Sequence, residues 1–150
     1  VLLEDQHGHQ MEFLLFGQAH NNIRLRYRQS DFHRSDNQGW GFYPLHFAWD
    51  NIDDEKVIIP KLKLFKEKTG LDKRKITVYV LTNFNSTLQD DLHRVYTLRE
   101  IGAAPYIMIY EKQTAPKEIK DLQRWVNNRI IWYSSETATF ENYISSRRKG

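Results

Sequence analysis

A chain of 150 residues is one ordinary domain, able to bury roughly 70% of the surface its unfolded form exposes. Hydrophobic residues at 40% and charged ones at 27% exclude a disordered chain, and no apolar stretch approaches the roughly 20 residues of a membrane helix. The absence of cysteine excludes disulfides, thiolate metal sites and thiol nucleophiles, while a net charge of +3 is too mild to argue for nucleic acid.

Residues 1–43 differ from the rest. They are rich in His, Gln, Asn and Arg and only weakly periodic, so an irregular, poorly ordered segment with at most a short hairpin is expected. Positions 11–16 suit a short strand or a helical turn. Positions 23–28 alternate apolar and basic residues, as an exposed edge strand does, and positions 35–41 read as a loop on turn chemistry. His7, His9, His20 and His33 match no zinc spacing and read as surface histidines.

Residues 44–150 have a βα cadence. The runs Leu45-His46-Phe47-Ala48-Trp49, Ile76-Thr77-Val78-Tyr79-Val80-Leu81 and Tyr106-Ile107-Met108-Ile109-Tyr110 start about 30 residues apart, the length of a βαβ unit, and a helical pattern follows each. The first helix should cover 53–69, capped by Asn51 or Asp53, stopped by Gly70 and buried through Val57, Ile58, Leu62 and Phe65. Pro60 should kink it or delay its start to Ile59. Lys56, Lys61, Lys63, Lys66 and Lys68, then Lys73, Arg74 and Lys75, read as a solvated face and a basic turn.

The second helix should cover 87–101. Ser86 and Gln89 have capping-box spacing, Gly102 is a stop, and Leu88, Leu92, Val95, Leu98 and Ile101 share a face. The third should cover 116–128, with Pro116 at its first position and Ile119, Leu122, Trp125 and Val126 buried. Positions 130–133 read as a fourth short strand and 140–146 as a terminal helical turn. The class is therefore α/β, three to four parallel βα units whose inner strands should be covered by helices on both faces.

Parallel sheets of this kind place ligand sites at the carboxyl ends of their strands. Those ends supply Asp50 and Asn51, Thr82 and Asn83, Tyr110 and Glu111, with Trp49, Asn85, Ser86 and Lys112 beside them. Carboxylates and amides suit hydrogen bonding to a ribose, an adenine edge or an amino acid. The same residue types also serve as ordinary helix caps. Gly39-Trp40-Gly41 precedes a strand and so fails the phosphate-loop pattern, and Ser86, Asp90 and His93 belong to one helix start, not a triad.

Five segments carry a family resemblance: Phe47-Ala48-Trp49-Asp50-Asn51-Ile52; Val78-Tyr79-Val80-Leu81-Thr82-Asn83-Phe84-Asn85-Ser86-Thr87; Arg94-Val95-Tyr96-Thr97-Leu98-Arg99-Glu100-Ile101-Gly102; Pro105-Tyr106-Ile107-Met108-Ile109-Tyr110; and Leu122-Gln123-Arg124-Trp125-Val126-Asn127-Asn128. In this order, over about residues 45–143, the chain resembles the C-terminal half of radical S-adenosylmethionine proteins of the bacterial and phage-encoded kind. The resemblance implies the C-terminal half of a partial (β/α)6 TIM-like barrel, the three strong strands being its fourth to sixth. It implies a cofactor site for S-adenosylmethionine at the strand ends, by location at Asp50, Asn51, Thr82, Asn83, Tyr110 and Glu111. The family holds a 4Fe-4S cluster on three cysteines spaced Cx3Cx2C near its first strand. This chain has no cysteine, and Asp36-Asn37-Gln38-Gly39 only faintly echoes an upstream family element.

The leading expectation is thus a C-terminal part of a radical S-adenosylmethionine enzyme, inactive alone, whose partner is a missing N-terminal half or another chain and whose substrate is open. Val1 in place of Met, with the compositional break near residue 44, suggests a processed, truncated or frame-shifted product. The alternatives are a small α/β module binding a nucleotide or nucleic acid, and a pseudoenzyme subunit completing a partner's barrel. The location expected is cytoplasmic, with no membrane partner.

Overall fold

A computed structural model of the chain describes residues 45–149 continuously and, before them, six short strands. These are β1 (Leu2–Glu4), β2 (Gln10–Glu12), β3 (Leu15–Phe16), β4 (Asn22–Ile23), β5 (Phe32–Ser35) and β6 (Gly39–Phe42). They pair antiparallel, β1 with β2, β3 with β4 and β5 with β6. Ser35 and residues 39–41 are strand where a loop was expected, joined through the Ser35↔Gly39 register. The irregular segment and the alternating run at 23–28 fall mostly outside the described residues.

From Leu45 the chain follows βα order. β7 (Leu45–Trp49) leads through a 3-10 turn at Ile52–Asp54 into α1 (Glu55–Thr69). β8 (Ile76–Thr82) leads into α2 (Leu88–Ile101), and β9 (Ala104–Ile109) into α3 (Lys117–Asn127). A second 3-10 turn at Ile130–Trp132 and α4 (Phe140–Lys149) follow. The fold is α/β, an open sheet of three parallel strands in chain order β7-β8-β9.

Local chemistry explains the helix limits. Asn51 is extended and its side chain accepts from the Asp53 N–H at 3.0 Å, starting the turn that becomes α1. Pro60 lies inside α1 without ending it. Lys56, whose carbonyl loses its partner, and Pro60 are both exposed, so water can take the free acceptor. Burial of Ile58, Ile59, Leu62 and Phe65 around it offsets the proline's cost of roughly 3 kcal/mol, at about 1.5–3 kcal/mol per side chain.

The capping box of α2 lies one residue beyond the expected one. Thr87 accepts from the Asp90 N–H at 3.2 Å, and the Asp90 carboxylate accepts from the Thr87 N–H at 2.8 Å. An aspartate there also meets the positive end of the helix dipole, which Gln89 does not. At the other end Gly102 turns left-handed at φ 81°. A Cβ there would stand 1.9 Å from Lys66 Nζ, which reaches across from α1 to donate to the Ile101 and Gly102 carbonyls at 2.7 and 3.1 Å. Pro116 serves α3 as its cap residue, one place before the first helical position.

Two elements differ more. Positions 130–132 form a 3-10 turn and no fourth strand. Arg129 turns left-handed at φ 61° directly after α3, which folds the chain back and buries Ile131, while the β9 backbone at Ile107 is already taken by Asn127 and Gln123. The terminal helical turn is a full helix, α4, because Phe140 and Tyr143 pack toward Trp125 and Arg147 pairs with the buried Asp121 at 2.5 Å.

Among the described residues, helices cover one face of the sheet only, which corrects the two-sided expectation. Phe47, Trp49, Ile76, Val78, Val80 and Ile107 bury against α1, α2 and α3 in a single core. Strands joined in consecutive order by crossovers of one hand keep their helices on one side. Accordingly Lys66 of α1 touches the end of α2, and Tyr96 of α2 meets Trp125 of α3 edge-on at 5.9 Å. On the opposite face Tyr106 is 40% and Met108 48% exposed.

Trp125 joins three elements, since its indole N–H also donates to the Thr137 carbonyl at 2.8 Å and its ring lies 5.6 Å from Phe140. Trp125→Ala should therefore cost about 3–5 kcal/mol in urea unfolding, whereas Leu64→Ala on the exposed side of α1 should stay within about 0.5 kcal/mol.

Candidate functional site at the strand ends

The carboxyl ends of β7, β8 and β9 lie side by side, and the β8 and β9 ends are tied beyond their ladder. Thr82, fully buried, donates its hydroxyl to the Met108 carbonyl at 3.2 Å. The Tyr110 N–H donates to the Thr82 carbonyl at 3.0 Å, and Asn83 Nδ2 donates to the Tyr110 carbonyl at 2.9 Å. The Phe84 ring lies 5.0 Å from that of Tyr110. Thr82, Asn83 and Tyr110 are therefore brought together as the sequence suggested.

Asn83, Asn85 and Glu111 all adopt left-handed backbone, at φ 61°, 50° and 47°. Such conformations cost of order 1 kcal/mol or more for residues with a side chain and collect where the surroundings impose them. Here they turn the chain sharply off the strand ends. Glu111 is exposed, and its carbonyl accepts from the Thr114 N–H and hydroxyl, each at 3.1 Å.

On the β7 side, Asn51 is committed to its cap, and its carbonyl accepts from the Trp49 indole N–H at 2.8 Å. Asp50 is free of such a duty. Desolvation among the strand ends raises its carboxyl pKa above that of an ordinary aspartate, Arg94 opposing and Asp54 adding to the rise. Asp50 and Glu111 do not form a carboxylate pair. They follow strands separated by β8, at least two interstrand spacings or about 10 Å apart across the sheet, and Glu111 lies three residues beyond the level of Asp50.

Beneath this edge lies a charge that sequence reasoning missed. Arg94 of α2 is fully buried and donates to the Trp49 carbonyl at 2.8 Å, the Leu81 carbonyl at 2.7 Å and the Asp91 carboxylate at 2.6 Å. It binds the ends of β7 and β8 together. Asp91, equally buried, has its pKa raised by desolvation, against which Ser86 and Arg94 work. The Ser86 hydroxyl lies near enough to act on that carboxyl without a well-aligned hydrogen bond. The signal was present: Asp91 and Arg94 are three apart, as facing helix neighbours are, and Arg94 adjoins Val95 on the buried stripe.

Ser86, Asp90 and His93 form no relay. Asp90 is spent on the cap, and His93 Nε2 pairs with Glu55 of α1 at 2.7 Å. Among the described residues no three His, Cys, Asp or Glu side chains gather as metal ligands, and the side chains of His7, His9, His20 and His33 lie outside them. With no cysteine anywhere, the chain offers no thiolate to an iron–sulfur cluster. Among the described residues no helix is long and apolar enough to cross a membrane.

No protein-family model matches the chain, and neither a curated protein nor a solved structure matches it.

Replacing the buried guanidinium should unlock the site. Arg94→Met leaves buried Asp91 and two strand carbonyls without their partner and should lower stability by about 3–5 kcal/mol in urea unfolding; Arg94→Lys should recover only part, since an ammonium cannot span three acceptors set around a planar fork. The α2 cap gives a pH signature. Hydrogen bonds from the Thr87 backbone and hydroxyl hold the Asp90 carboxyl below an ordinary aspartate's pKa. Its contribution is therefore complete above the unfolded value near 4 and lost as pH falls through the lower folded value. The thermal-unfolding gap between the parent and Asp90→Asn should be open at pH 7 and close in acid.

Proposed function

We propose that the chain is the C-terminal half of a partial (β/α)6 barrel of the radical S-adenosylmethionine type, forming the wall at which the cofactor's sugar and amino-acid parts would rest. The observation that carries this reading is the sheet order β7-β8-β9 with α1, α2 and α3 on one face. A doubly wound sheet reverses its strand order and carries helices on both faces, whereas a β/α barrel adds strands in sequence and keeps its helices outside. The face without helices then corresponds to the barrel interior, and Asp50, Asn83, Tyr110 and Glu111 to its rim. An amide and carboxylates of this kind match hydroxyl and ammonium groups of such a ligand. Cluster ligation has no residues here, so the radical chemistry would depend on thiolates from outside this chain.

Amide shifts on titration with S-adenosylmethionine test the reading. Saturable shifts at Asp50, Asn83, Tyr110 and Glu111 are expected near millimolar concentration, about −4 kcal/mol of binding, and Asn83→Ala should weaken them. A spectrum unmoved at about 10 mM rejects it.

A second reading, a nucleic-acid-binding module, is favoured by the ring row on the helix-free face. His46 stacks on Tyr79 at 5.3 Å, and Tyr79 meets Tyr106 edge-on at 5.5 Å. Aromatic rows on open sheets can stack unpaired bases. Salt-sensitive shifts of Tyr79 and Tyr106 with a single-stranded oligonucleotide would favour it over the first.

A further inference from the structure

An outer strand normally offers its free N–H and C=O groups to any chain that can lie beside it. On β9 the groups of Ile107, at the middle of the strand, are occupied. The Ile107 N–H donates to Asn127 Oδ1 at 2.7 Å, and the Ile107 carbonyl accepts from Asn127 Nδ2 at 3.1 Å and Gln123 Nε2 at 3.2 Å. One carboxamide thus gives Ile107 the donor and the acceptor that a neighbouring strand would give it. Gln123 and Asn127 are four residues apart on α3, hence on one face of it.

Backbone orientation in the strand extends the block. Tyr110 and Met108 use their backbone groups toward Thr82 of β8, so the residues one position out of step, Pro105, Ile107 and Ile109, direct theirs outward, and the first two of these are blocked in part or whole. Pro105 has no N–H to offer on that side, as suits an edge strand. Within the described residues the outer side of β9 therefore loses one donor to proline and one donor–acceptor pair to Asn127.

We infer that Asn127, Gln123 and Pro105 form a sheet terminator, which holds the sheet at its third parallel strand and prevents a second copy of the chain from pairing along β9. The inference does not rest on the half-barrel reading, since it concerns only whether another strand can join at this edge.

Amide exchange and solution mass test it on the full chain. In Asn127→Ala the Ile107 amide should exchange at least about tenfold faster, equal to about 1.4 kcal/mol of lost protection. In Gln123→Ala/Asn127→Ala the apparent mass by light scattering should rise with concentration more steeply than in the unaltered chain, with the far-ultraviolet circular dichroism retained. Should the double variant fail to fold, Asn127→Asp decides: it keeps the acceptor for the Ile107 N–H, so protection should survive in it and be lost in Asn127→Ala. Equal exchange at Ile107 in the alanine variant and the unaltered chain, or an equal mass dependence in a folded double variant, overturns the inference. So does equal loss of protection in the alanine and aspartate variants.

Discussion

The strand-end architecture depends on the guanidinium of Arg94. Where β7 stops, the Leu81 carbonyl of β8 has run past its neighbour, and Arg94 takes that carbonyl together with the one on Trp49. The Trp49 acceptor is buried and the Leu81 acceptor partly so, and a buried carbonyl left unpaired costs about 1–3 kcal/mol. The charge that satisfies them must itself be balanced, and Asp91 does so from one turn earlier on the same helix. A buried ion pair is a weak source of net stability. Its consequence here is positional. Asp50 follows Trp49 and Asn83 lies two residues after Leu81, so one side chain sets the height of both rim groups relative to each other.

The one-sided sheet has a second consequence. Its helix-facing side is packed by aliphatic and aromatic residues, while the other side presents His46, Tyr79, Tyr106 and Met108. Aromatic residues bury large areas when covered and keep favourable ring contacts when they are not. Left-handed backbone at Asn83, Asn85 and Glu111 follows directly on the ends of β8 and β9.

That preference made much of the fold readable. The three strands, their order of appearance, Gly70 and Gly102 as stops and the buried stripe of α3 followed from apolar spacing and turn chemistry. Thr82, Asn83 and Tyr110 could be placed together because parallel strands bring their carboxyl ends to one edge. The same reasoning misjudged 130–132, where a continuous apolar run served a turn, and Asp50 with Glu111, whose separation depends on which strand lies between them. Pro60 looked disruptive because its exposure, which lets water take the freed carbonyl, is a property of the packed helix.

The sequence by itself determined the βα cadence, the limits of α1, α2 and α3 to within about two residues and the polar character of the strand ends, because caps, stops and apolar stripes act over one or two turns of chain. Only the tertiary structure decided that the described helices cover a single face, that Arg94 is a buried clamp and that α3 takes the Ile107 backbone groups at the β9 edge. These rest on contacts such as Arg94 to Trp49, 45 residues apart, and Asn127 to Ile107, 20 apart. No local preference encodes such pairs; they exist because packing leaves particular carbonyls and N–H groups without water and places those side chains within reach.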